Sequence, residues 1–266
     1  MTVSEDEIEQ SFHKIIIKLV PELIDMLDEV RHKPISSPMF NSKVLPPWYD
    51  YYQKPFVNVI LESLIATDTL DEILKIYRAD NPFEETLNIF TPPIPYLGLQ
   101  LQKNLSGKQT ATILSLMKNF ESILYNKKTI NRLLYEIATG KDNDGSLIRQ
   151  VLEVDRTAIH TEIIKVKLQD AVIAHNKKLI NNISNSLYYN KNKKPKVTYP
   201  NLTFAIFILL DFDVYDSLDD DKKFKILNRY YEEHREPDSF YKECRRIRNA
   251  LTTQKTPKRV REKTKK

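Results

Sequence analysis

Lysine and arginine carry most of the chemistry this sequence could do, and they are not evenly spread. Residues 241–266 hold eleven Lys or Arg against two Glu, and residues 177–196 hold six Lys and no acid. The whole chain has a net charge of only +5, so the residues outside these two blocks form an acidic body. Blocks of one sign often act as interaction tails. Lysine meets phosphate as a point charge, whereas the planar fork of arginine gives two parallel hydrogen bonds. The candidate phosphate contacts are Lys177, Lys178, Lys191, Lys193, Lys194, Lys196, Arg245, Arg246, Arg248, Lys258, Arg259 and Arg261. Arg245 and Arg248 are three apart and share a helical face. Tyr188, Tyr189 and Tyr199 interleave with the lysine block, a combination suited to single-stranded nucleic acid, with Lys on phosphates and rings on bases. Thr256-Pro257 beside the terminal cluster is a minimal proline-directed phosphorylation site, where phosphate would cut the positive charge.

Two further patterns bear on catalysis. Arg229 and His234 are separated by Tyr230, Tyr231, Glu232 and Glu233. This segment resembles the Arg-x4-6-His motif of HEPN-type helical ribonucleases. The resemblance covers six residues and implies that Arg229 and His234 would act on the scissile phosphate of RNA across a dimer; Tyr230 departs from the polar residue usual there. The apolar run 202–210 followed by Asp211 and Asp213 resembles the first motif of haloacid-dehalogenase-like phosphatases. The residues after Asp221 are too few for the fold and later motifs of that family, so the acidic stretch 211–221 is read as helix capping and a solvated loop. An EF-hand is excluded because no Gly occupies the required turn.

Other chemistry is excluded by composition. The chain has 4 Gly in 266 residues, against a usual share of about 7%. Neither a Gly-x-Gly-x-x-Gly loop nor a phosphate-cradling P-loop occurs, and no nucleophile elbow. His13, His32, His160 and His175 are scattered, and the single Cys244 has no spacing partner for zinc. No cofactor and no metal are therefore expected. One cysteine permits no intrachain disulfide, which fits a reducing compartment. The acidic N-terminus lacks signal-peptide character. The longest apolar run, 202–210, is far short of the ~20 residues a membrane span needs. The expected setting is intracellular, nuclear in a eukaryote and otherwise cytoplasmic, with no membrane partner.

The elements that must position these residues read as helices. Scarce Gly argues against many-turned β architectures. Ile8, Phe12, Ile15, Ile16, Leu19, Leu23, Met26, Leu27 and Val30 recur at spacings of three and four, one helical face that begins at a Ser4/Glu7 capping box and should kink or briefly break at Pro21. Residues 33–47 read as loop and 57–66 as helix. Further helices are expected from capping at Thr69/Glu72 and from Asn81-Pro82, with an extended stretch at 91–96. Ser106 and Gln109 form another capping box, opening a helix to about residue 125. Residues 129–139 form the next, ended by Gly140.

Residues 146–189 keep a near-continuous helical period through Ile148, Val151, Leu152, Ile159, Ile163, Val166, Ile173, Ile180, Ile183 and Leu187. One long helix, or a pair broken near Asp155, is expected. The run 202–210 is taken as helix because no second strand-like run exists to pair with it. Helices from Ser217 to about 233 and over 237–251 follow. The architecture expected is all-α, a multi-helix bundle or irregular helical array. It divides into a subdomain 1–140, a turn at 141–145, a subdomain 146–252 and a disordered basic tail, 253–266. Three functions fit this reading. The first is a non-enzymatic adaptor or assembly subunit on RNA, DNA or a nucleoprotein, with a protein partner on its helical faces. The second is a protein scaffold with no nucleic-acid role, and the third a helical ribonuclease using Arg229 and His234.

Overall fold

Ile16, Leu19, Val20, Leu23, Ile24, Met26, Leu27 and Val30 are buried along one side of α1 (Glu5–Arg31), as a three–four apolar period dictates. The computed structural model describes residues 5–31, 47–66, 106–142, 144–188, 197–231 and 237–252. Pro21 stands inside α1 without ending it. Ser4, the helix starts near residues 69 and 81, the extended stretch 91–96 and the tail lie outside the described residues.

Every regular element among the described residues is helical, so the fold is all-α. After α1 come a 3-10 turn at Trp48–Gln53, α2 (Phe56–Ala66), α3 (Gly107–Asn126), α4 (Ile130–Ala138) and α5 (Ser146–Val154). A second 3-10 turn, Arg156–His160, leads to α6 (Glu162–Ile173) and α7 (Lys177–Tyr188). Then follow α8 (Pro200–Asp211), α9 (Asp220–Leu227) and α10 (Pro237–Thr252). The chain divides into two compact units, Met1–Val197 and Thr198–Lys266. The turn at 141–145 lies within the first of them.

Local chemistry sets the helix ends. The Ser106 hydroxyl accepts from Gln109 N at 3.3 Å while the Gln109 side chain accepts from Ser106 N at 2.8 Å, the reciprocal box expected from sequence. Thr129 caps α4 at Arg132 N, 3.1 Å, and Pro200 takes the first turn of α8, where a missing N–H costs nothing. The chain between residues 146 and 188 breaks at Asp155, one of the two expected arrangements, and again at residues 174–176, so it forms three helices rather than one or two. There Ala174 closes α6, His175 turns left-handed at φ 52, and the Asn176 side chain accepts from Leu179 N at 3.1 Å. Asn176 therefore restarts the chain as a separate helix. The start of α9 is capped by Asp219, which accepts from Lys222 N at 2.8 Å, rather than by Ser217. The helix begins two residues later than its sequence signal, and the Ser217 hydroxyl donates instead to Val214 O at 2.8 Å.

In the first unit one core gathers Ile130, Leu133, Leu134 and Ile137 of α4, Ile148, Val151 and Leu152 of α5, Ile164 and Ala171 of α6, and Leu179 and Ile183 of α7. A smaller cluster joins Val30, Ala66 and Ile113 across α1, α2 and α3. In the second unit α8 is predominantly apolar and buried through Leu202, Phe204, Ala205, Ile206, Ile208 and Leu209. Phe240, Cys244, Ile247 and Leu251 of α10 form a buried stripe at three–four spacing. Phe240 meets Phe224 and Tyr231 edge-on, with ring centroids at 5.2 and 5.7 Å.

Candidate nucleic-acid interface

α7 is positioned by its apolar side. Leu179 and Ile183 are buried in the core of the first unit, and the Asn182 side chain donates to Asp144 O at 2.7 Å, tying α7 to the turn before α5. Burial of that side leaves the opposite one to solvent. Lys177, Lys178, Asn181 and Asn185 are exposed there. Lys178, Asn181 and Asn185 fall at i, i+3 and i+7, so they share a face. Residues 171–196 contain no Asp or Glu, so nothing within this stretch neutralises the lysines. Across the turn, Asp144 is held below the usual carboxylate range, first by its hydrogen bonds from Ser146, with the charge of Lys178 adding to them. The positive end of the helix macrodipole sits beside both lysines.

In the second unit the three arginines of α10 have different surroundings. Arg245 is exposed. Arg246 Nε donates to Glu243 Oε2 at 2.9 Å, and its Nη2 bonds the other carboxylate oxygen. Arg248 grips Asp216 with two bonds, 3.0 and 2.9 Å, and this hydrogen bonding holds the Asp216 carboxyl below its ordinary range. Both pairs lie at the surface, with Glu243 and Arg248 partly covered, and such pairs contribute little. A phosphate could replace either carboxylate at small cost. Lys191, Lys193, Lys194, Lys196, Lys258, Arg259 and Arg261 lie outside the described residues, as do Tyr189 and the Thr256-Pro257 pair.

The catalytic candidates fare as follows. Arg229 is exposed, with its guanidinium 5.2 Å from the Tyr230 ring centre; His234 lies outside the described residues. Asp211 and Asp213 are exposed in the turn after α8, with Asp213 left-handed at φ 57. Among the described residues no group of three or more metal-ligating side chains gathers. No described helix is long and apolar enough to cross a membrane.

One polar cluster escapes the sequence. Asp155 is buried between α5 and the second 3-10 turn. Its Oδ2 accepts from Trp48 Nε1 at 2.7 Å and from the Tyr52 hydroxyl, and its Oδ1 accepts from Thr157 N and Oγ1 at 2.9 and 2.8 Å. Four donors leave this carboxylate no spare acceptor for a substrate proton. Burial, reinforced by the Asp155 charge, pushes the Tyr52 hydroxyl well above its ordinary value. The cluster is built to hold the 48–53 turn in place. Asn181 and Asn185 join the lysines on the exposed face of α7. Their only sequence signal was the helical spacing that sets them beside Lys177 and Lys178.

The chain matches no protein-family model, no curated protein and no solved structure.

Proposed function

We propose that this chain is a non-enzymatic helical adaptor or assembly subunit, intracellular, that associates with RNA, DNA or a nucleoprotein through phosphate contacts. The observation that carries the reading is the exposed face of α7, where Lys177, Lys178, Asn181 and Asn185 stand together on a helix without acidic residues of its own, with Asp144 a carboxylate acting on Lys178 from across the turn. Lysines supply charge and the amides add donors for phosphate and sugar oxygens. The segment that continues from this helix adds Lys191, Lys193, Lys194 and Lys196, and the C-terminal segment adds Arg245, Lys258, Arg259 and Arg261. Segregation of these residues from an acidic remainder directs a polyanion to the basic segments.

Fluorescence anisotropy with labelled single-stranded RNA and duplex DNA tests this reading. The full chain is compared with a version ending at residue 253 and with Lys177→Gln/Lys178→Gln. Four phosphate contacts on duplex DNA predict an affinity loss of about 100-fold between 50 and 200 mM salt. Each variant should bind more weakly and show a shallower salt slope. Binding by the full chain no tighter than by both variants at low salt would overturn the proposal.

A further inference from the structure

Four large hydrophobic side chains stand exposed among the described residues, and three of them lie on α6: Val166 at 42%, Val172 at 55% and Ile173 at 77%. The period of the sequence counts Val166 and Ile173 as core positions. The early end of α6 and the left-handed turn at His175 instead send α7 back along a different side. Only Ile164 and Ala171 of α6 are fully buried. Val172 and Ile173 are left at the tip of the α6–α7 hairpin, next to Ala174 and His175, which are also exposed.

The charge around this tip is uneven. Lys177 and Lys178 are exposed immediately beyond it, Lys165 is exposed further back on α6, and Asp170 is the exposed acid of its last two turns. Phosphates would satisfy the lysines but offer little apolar surface to the aliphatic side chains, so the nucleic-acid reading leaves them unexplained. Three aliphatic side chains also fall far short of the ~800 Å² per partner that a stable interface between globular copies requires. A lipid surface is a poor match, because the tip carries no aromatic anchor and one carboxylate. What fits is a short segment of another protein: one apolar side chain set among carboxylates. We infer that the α6–α7 tip docks an acidic, apolar-anchored peptide segment of a partner protein. Val172 and Ile173 receive the anchor, and Lys177 and Lys178 receive the carboxylates.

The test is selection of a random-peptide display library on the full chain, followed by titration of the enriched peptides. Enriched sequences should place an aliphatic or aromatic residue among Asp and Glu. Val172→Ser/Ile173→Ser should weaken them by at least ~10-fold, the size of a modest interface hot spot. Lys177→Gln/Lys178→Gln should relax the acidic preference while apolar selection persists. The serine double variant should bind nucleic acid as the parent does, which separates the apolar anchor from phosphate binding by the lysines the two sites share. Four results would overturn the inference. One is enrichment no greater than on the serine variant. Another is an enriched set without acids. The third is Ile173-dependent sedimentation of the chain with phosphatidylserine vesicles. The serine variant should melt no lower than the parent, and a lower melting temperature would mean the pair is packed rather than presented, which also overturns it.

Discussion

Asp155 shows how much one side chain can organise. Its donors Trp48 and Tyr52 are 107 and 103 residues away in sequence, so this carboxylate joins the 48–53 turn to the junction of α5 and α6. Replacing it by Ala would leave the buried Tyr52 hydroxyl and the half-buried Trp48 N–H without their acceptor. A cost of about 3 kcal/mol follows, since unpaired buried donors lose their desolvation energy in full. Tyr52→Phe removes a donor together with its need for a partner and should cost only about 1 kcal/mol. The chain has one tryptophan, Trp48, so urea unfolding followed by its fluorescence reads both variants. The Asp155→Ala native spectrum should shift to the red. Nothing in the sequence around Asp155 announces this role. Its local signal is a helix break and a cap, and the cap to Thr157 N at 2.9 Å is present. The long-range partners depend on which turn is brought to it.

At the scale of elements, the junction before α5 is where sequence and packing meet. Asp142 accepts from Leu147 N at 2.9 Å and Ile148 N at 3.1 Å, capping α5 from across the turn. Gly145 stands at the helix start with φ +77, and a Cβ there would lie 2.3 Å from Leu179 Cδ1 of α7. Gly140, at φ +79, has nothing within 4 Å of the same atom. Gly140→Ala should therefore cost about 1 kcal/mol, the backbone penalty alone. Gly145→Ala adds a clash with a buried leucine and should cost about 2–3 kcal/mol. Urea midpoints of the two variants would measure that gap; equal losses would mean that α7 yields freely at Leu179. Asn119 works across elements too, its side chain accepting from Ile130 N at 2.9 Å and donating to Ser115 O at 2.9 Å. A residue inside α3 thus caps α4, which no local capping rule reveals.

Over the whole molecule, several buried acids stay protonated when the chain is folded. Burial pushes the Cys244 thiol from 9.0 to about 12 and raises the Tyr215 hydroxyl, and Tyr52 is raised as well. Above the ordinary values of thiol and phenol the unfolded chain has released these protons while the folded chain keeps them. The unfolded state then binds fewer protons, so stability falls as pH rises. Thermal melting temperatures should hold level up to about pH 9 and drop beyond it, as stability falls by up to ~1.4 kcal/mol per pH unit for each fully shifted group. Cys244→Ala should soften the onset, because the group with the lowest ordinary value is gone. An unchanged melting temperature through pH 11 would show that these groups ionise in the folded chain.

What the sequence determined by itself was local. Capping residues, the apolar three–four period and scarce glycine specify helices within one or two turns, because a helix is made of contacts between residues three and four apart. The all-α class, the Ser106–Gln109 box and the helix over 129–139 were legible on those grounds, the helix over 202–210 from the lack of a second strand-like run, and the split between acidic and basic segments from charge alone. Tertiary structure alone decided which periodic side chains found a partner. Ile164 and Ala171 are buried while Val166 and Ile173, each two residues further along the same helix, are not. It also committed Arg248 to Asp216, thirty-two residues distant, and gave Asp155 its donors. Burial and pairing are properties of two surfaces that meet, and a sequence pattern describes only one of them.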